Sequence, residues 1–146
     1  MFRAILALMV VTTLMGCGGG SPDQYLNEGV AHFEKQEYDQ AIDCYKKAIE
    51  LAPNSAAAYN LLGMAYRQEV PQQVRGLKAK EIAAFQKAIE LDPNYWVALI
   101  NLGATYYYQG EKAKAAPLFK KALALKPDHP EKAQIEKMIA EGEGKP

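Results

Sequence analysis

Net charge, histidine, cysteine and long apolar runs are what this chain has little of, and each scarcity excludes something. Its 146 residues carry 17 basic and 17 acidic side chains, for a formal net charge of zero. Setting Arg3 aside leaves sixteen basic against seventeen acidic residues. A chain so balanced has no strong field with which to recruit nucleic acid, and the Lys46-Lys47 and Lys120-Lys121 pairs read as solvated helix faces. There are two histidines. His129, beside Asp128 and near Glu131, forms a trio on one loop with no spaced second ligand pair, which is not a metal site. His32 falls where the equivalent segments place Tyr66 and Tyr106, so it is expected to line the core. No glycine-rich loop precedes a helix in phosphate-binding form, and no Ser or Cys is paired with a recognisable base. The expectation is therefore a protein that is not an enzyme, with no catalytic residue, cofactor or metal. Of the two cysteines, Cys44 reads as a buried small apolar residue, because Cys17 on a mobile tether is a poor geometric partner for a disulfide. The apolar run from Ala4 to Met15, broken by Thr12 and Thr13, is too short for a comfortable transmembrane helix.

What the chain does have is repetition. KKAIELAPN at Lys46 to Asn54 returns as QKAIELDPN at Gln86 to Asn94 and as KKALALKPD at Lys120 to Asp128. The closing prolines Pro53, Pro93 and Pro127 lie 40 and then 34 residues apart. Upstream of each phrase stands a second pattern: Tyr25, Gly29 and His32; Tyr59, Leu62, Gly63 and Tyr66; Leu99, Leu102, Gly103 and Tyr106. Two helices per period are implied. Gly29, Gly63 and Gly103 make holes, as do Ala41, Ala48, Ala115 and Ala122, while Tyr45, Phe85 and Phe119 fill them. The proline of each unit ends one helix pair and opens the next. A unit of this size cannot bury its apolar face alone, so the units must stack.

This arrangement of aromatic, Leu-Gly, Tyr, Ala, Phe, Ala and Pro resembles the tetratricopeptide repeat (TPR) family across Tyr25 to Pro127. The resemblance implies an all-α fold, a right-handed solenoid of three helix-turn-helix units plus a C-terminal capping helix. The expected units are 22–55, 56–95 and 96–129 within a domain at 23–141. The capping helix is placed at 130–141, opening at Asp128-His129-Pro130 and turning Ile135, Met138 and Ile139 to one stripe, with a fraying tail at 142–146. The second unit departs from the pattern. It carries six extra residues around Glu69 to Val74, expected to lengthen the turn between its helices, and Glu81 in the slot of Ala41 and Ala115.

The first twenty residues are a different object. Met1-Phe2-Arg3 and the apolar run form a signal peptide at 1–16. Leu14-Met15-Gly16-Cys17 resembles the lipobox of bacterial lipoproteins, which implies acylation of Cys17 and a membrane anchor, with 17–22 as a flexible tether. Gly18 rather than Asp resembles outer-membrane sorting, and the expected location is the bacterial envelope, facing the periplasm.

In the TPR family the first helix of each unit lines a concave groove that takes a peptide or protein partner. The matching residues here are Leu26, Val30 and Phe33; Asn60, Met64 and Arg67; and Ile100, Asn101, Ala104, Tyr107 and Tyr108. Asn60 and Asn101 are expected to orient a peptide backbone, and Arg67 to fix a carboxylate or carbonyl. Tyr106, Tyr107 and Tyr108 cannot all face inward on one helix, so one is an exposed contact. The carboxylate clamp of chaperone-binding members is absent, because its positions hold Leu26, Val30, Leu61, Val97 and Asn101. The functional expectation is a lipid-anchored adaptor in envelope complex assembly. The alternative is a self-assembling homo-oligomeric scaffold whose groove or cap face meets another copy, with the Ile135, Met138 and Ile139 stripe as the suspect surface if that stripe is incompletely buried.

Overall fold

The computed structural model describes residues 20–69 and 75–144. Among them run seven helices: α1 (Pro22–Glu34), α2 (Tyr38–Leu51), α3 (Ala56–Glu69), α4 (Arg75–Leu91), α5 (Trp96–Tyr108), α6 (Lys112–Leu125) and α7 (Lys132–Gly142). They form three antiparallel hairpins, α1 on α2, α3 on α4 and α5 on α6. Each hairpin stacks on the next through α2 on α3 and α4 on α5, and α7 closes the array on α6. The described residues contain no strand, which is the all-α solenoid read from the sequence.

Local chemistry explains the breaks. The same turn is built three times, with Ser55, Tyr95 and His129 each donating a backbone N–H to the carbonyl three residues back, at Ala52, Asp92 and Lys126. Pro53, Pro93 and Pro127 lie inside these turns, where a missing N–H costs nothing. Ser55 Oγ then accepts from the Ala58 amide at 3.2 Å and caps α3. Ser21 and Pro22, read from sequence as tether, instead start α1. The Ser21 hydroxyl accepts from the Gln24 amide, the Gln24 side chain accepts from the Ser21 amide at 2.8 Å, and Pro22 sits in the first turn. Pro117 stands inside α6 without ending it.

The packing is glycine against aromatic. A Cβ on Gly63 would lie 2.7 Å from the Phe85 ring, and one on Gly103 would lie 2.7 Å from the Phe119 ring. No side chain fits there, so the two helices of a hairpin approach as closely as backbone allows. Tyr45, Phe85 and Phe119 are the largest fully buried side chains, and Ala41, Ala48, Ala115 and Ala122 are buried beside them. Burial, and then the Glu34 charge, push the Tyr45 hydroxyl up to about 12. His32 is half-buried rather than central, and its Nδ1 lies 2.6 Å from a Glu37 carboxylate oxygen at the α1–α2 turn.

The C-terminal end differs from the reading in its limits. α7 begins at Lys132, with Pro130 and Glu131 still in the turn, and continues through Gly142, with Glu143 and Gly144 closing it by backbone hydrogen bonds. Ile135, Met138 and Ile139 are buried against Ala115, Ala116 and Phe119, so this stripe is part of the core and is not the surface for self-assembly. The extra residues of the second hairpin do not all fall between its helices. Several extend helices, since α4 has 17 residues against 14 in α2 and α6, while residues 70–74 lie outside the described residues. Among the described residues, no helix is long and apolar enough to cross a membrane.

Candidate functional site

The residues expected to meet a partner stand on α1, α3 and α5, the first helices of the three hairpins. On α1, the half-buried Leu26, Val30 and Phe33 pack against the core of the first two hairpins. On α5, Ile100, Ala104 and Tyr107 pack against the core shared by the third hairpin and α7. These side chains are half-buried, so each has one flank in the core and one toward solvent. Met64 on α3 is half-buried as well.

The three adjacent tyrosines divide as helical geometry requires. Tyr106 accepts a hydrogen bond from Gln86 at 3.2 Å. Tyr107 donates to Glu141 of α7 at 2.6 Å, and Lys112 reaches the same carboxylate oxygen at 2.7 Å. Tyr107 therefore fastens the cap. The bond to Glu141, then burial, raise the Tyr107 hydroxyl above its ordinary range, while bonds from Lys112 and Tyr107 hold Glu141 below its own. Tyr108 is 76 % exposed, its ring edge-on to Tyr107 at 5.5 Å. It is the exposed aromatic of this face.

The polar residues lie in one network at the junction of α3, α4 and α5. Glu81, in the slot that is alanine in the other hairpins, is 1 % exposed. Its Oε1 accepts from Arg67 Nε at 2.9 Å and from the Thr105 hydroxyl at 2.6 Å, and its Oε2 accepts from Lys78 at 2.7 Å. Arg67 also donates to Asn101 Oδ1 at 3.2 Å, to the Asn101 carbonyl at 2.8 Å and to Thr105 Oγ1 at 3.0 Å, and its guanidinium lies 4.9 Å from the Phe85 ring centroid. Asn101 Nδ2 donates to Asn60 Oδ1 at 3.0 Å. Burial alone would raise the Glu81 carboxyl. Hydrogen bonds from Lys78, Thr105 and Arg67, together with the Arg67 charge, outweigh it and hold Glu81 below the usual carboxylate range.

Asn60, Arg67 and Asn101, read from sequence as three separate handles, are thus brought together as partners of one another. Asn60 is 2 % exposed, which places its amide out of reach of any ligand. The participants that the reading missed are Lys78 and Thr105. The available signal was Glu81 itself, since an acid in a small-residue slot must find cations. His129 contacts Trp96 edge-on and accepts a hydrogen bond from the Glu131 amide, and no group of three potential metal ligands occurs among the described residues. Cys44 is wholly buried on α2, as expected of a small apolar residue. The chain's other cysteine, Cys17, lies outside the described residues.

Comparison with known families matches residues 29–69 to the TPR repeat, and residues 75–95 and 96–129 to the tetratricopeptide repeat. The photosystem I assembly protein Ycf3 of Rippkaea orientalis is 30 % identical over 124 residues, covering 75 % of this chain and 70 % of that one. The chain belongs to the tetratricopeptide repeat family. The antiviral innate immune response effector IFIT1 of Macaca fascicularis is 27 % identical over 135 residues, and there the match takes in 72 % of this chain but only 28 % of the relative's length. Among solved structures, the first TPR of Spaghetti (RPAP3) bound to the HSP90 peptide SRMEEVD superposes with a TM-score of 0.75 at 21 % identity, covering 85 % of this chain and 96 % of that one. That likeness is one of fold.

Proposed function

We propose that this TPR protein is a lipid-anchored adaptor of a bacterial envelope. In this reading it is acylated at Cys17, held at the outer membrane facing the periplasm, and offers its first-helix face to a protein partner during assembly of pilus, outer-membrane or cell-wall machinery. The observation that carries the adaptor role is Tyr108, 76 % exposed on the same face as the half-buried Met64, Ile100 and Tyr107. An exposed aromatic beside apolar flanks is the composition of an interface hot spot. A TPR domain of the same fold carries a bound chaperone peptide, which supports peptide or protein binding as the use of such a stack. The ligand class of that neighbour does not transfer. Leu26, Val30 and Leu61 occupy clamp positions with apolar side chains packed on the core, and Asn101 is committed to Asn60 and Arg67.

The anchor rests on the lipobox resemblance and on the apolar run before it. A thioether at Cys17 and a disulfide at the same sulfur exclude each other, so mass spectrometry of the N-terminal peptide from protein expressed in a Gram-negative host separates them. The expected result is an acylated Cys17 peptide, with a membrane-bound protein that Cys17→Ser releases. A soluble product with an unmodified or disulfide-bonded Cys17 would overturn the anchor. For the partner face, in-cell crosslinking of the full chain is compared with Tyr108→Ala. Loss of one envelope protein in the variant is expected, and identical capture by both would move the binding surface elsewhere.

A further inference from the structure

We infer that the partner segment received by this face is an amphipathic α-helix that sets one carboxylate side chain over Arg67, and not an extended strand. The inference rests on the adaptor reading and specifies its ligand. An extended peptide must have its backbone N–H and C=O groups satisfied when it is buried, so its receptor needs free donors and free acceptors. This face has few. Asn60 Oδ1 already accepts from Asn101, and Asn101 Oδ1 and carbonyl already accept from Arg67. Both Glu81 oxygens are taken by Arg67, Thr105 and Lys78, at a carboxylate 1 % exposed.

What remains is apolar surface and a donor. A helix brings its backbone groups already paired, and it asks of its receptor only apolar contact at helical spacing. Met64 and Ile100 supply that contact on α3 and α5. Arg67 has five N–H donors, of which four are directed to Glu81, Asn101 and Thr105. Its side chain is 29 % exposed. Arg67 and Lys78 together bring two positive charges to one buried Glu81, which leaves the junction with a net charge of +1. A carboxylate from the partner complements both the residual charge and the unused N–H, and Glu81 positions Arg67 to offer it.

The test is selection of 16-residue peptides from a random display library on the full chain, followed by synthesis of the enriched sequences. The expected binders carry apolar residues at helical spacing with one Asp or Glu among them, gain helical circular dichroism on binding, and lose affinity about tenfold when that acid becomes Gln or Asn. Met64→Lys and Tyr108→Ala, each checked for an unchanged melting transition, are expected to weaken them. Enriched peptides that are proline-rich, without helical period or indifferent to loss of the acid overturn this inference while leaving the adaptor reading intact. Binders insensitive to both variants, or no binders at all, overturn it and remove this face from the adaptor reading.

Discussion

Gln36 adopts φ 62° at the turn from α1 to α2, in the place that Gly110 fills with φ 83° between α5 and α6. Both turns are closed by the same pair of backbone bonds, Glu37 to the His32 carbonyl and Glu111 to the Tyr106 carbonyl, each at 2.9 Å. The turn demands a left-handed residue, and a side chain there crowds the following carbonyl at a cost of about 1–2 kcal/mol. Gln36→Gly is therefore expected to stabilise the protein by about 1 kcal/mol, less whatever glycine adds to the unfolded chain's freedom. The urea midpoint checks it, and no shift or a downward shift would show that the Gln36 side chain has a compensating contact. The same scale explains why Gly63 and Gly103 recur, since a methyl group at either would press directly on an aromatic ring.

Elements are tied together unequally. The first hairpin meets the second, and the third meets α7, through alanine slots, whereas α3, α4 and α5 share the ion pairs and hydrogen bonds centred on Glu81. Glu81→Ala would leave Arg67 without its counter-ion and is expected to cost about 1–3 kcal/mol, the range for a lost charge-assisted hydrogen bond, because Arg67 stays 29 % exposed and keeps Asn101 and Thr105. A double variant, Arg67→Met with Glu81→Ala, should recover much of that loss. The pH dependence follows from the lowered carboxyl of Glu81. Its stabilisation is fully present above the ordinary glutamate range near pH ~4.3 and is lost as pH falls through the lower folded value. Glu81→Gln should flatten the acid limb of a stability–pH profile relative to the unmutated chain. Parallel acid limbs would mean that other carboxylates, Glu141 among them, control acid unfolding.

At the scale of the whole molecule the array must be closed at its end. α7 does this with Ile135, Met138 and Ile139 set into the third hairpin, fastened at its rim by Tyr107 and Lys112 to Glu141 and by Lys120 to Glu143. Burial of three such side chains contributes about 1.5–3 kcal/mol each, comparable in sum with the entire net stability of a small domain. Truncation after Asp128 is therefore expected to abolish the cooperative melting transition or lower it sharply, with light scattering rising as Phe119 and Ile100 lose their cover. A truncated chain that melts as a monomer near the full-length temperature would show that the three hairpins close without α7.

The sequence alone carried the repeat, the helix count, the core aromatics and the glycines opposite them, because these are local patterns that recur at a fixed period and each copy corroborates the others. It also carried the list of first-helix residues, since helical spacing places them on one side. Only the tertiary structure decided what those residues do. Asn60, Arg67 and Asn101 stand 34 to 41 positions apart along the chain at their contacts, and nothing local says that they satisfy one another instead of facing a ligand. Ser21-Pro22 reads equally well as tether or as helix start until a helix follows with Gln24 in reach. Tyr107 and Tyr108 are identical side chains one residue apart, and only the arrival of α7 on one side of α5 turns the first into a fastening and leaves the second to solvent. The physical reason is the same in each case. Periodicity determines which way a side chain points along its own helix, while its partner is determined by what another helix brings to that place.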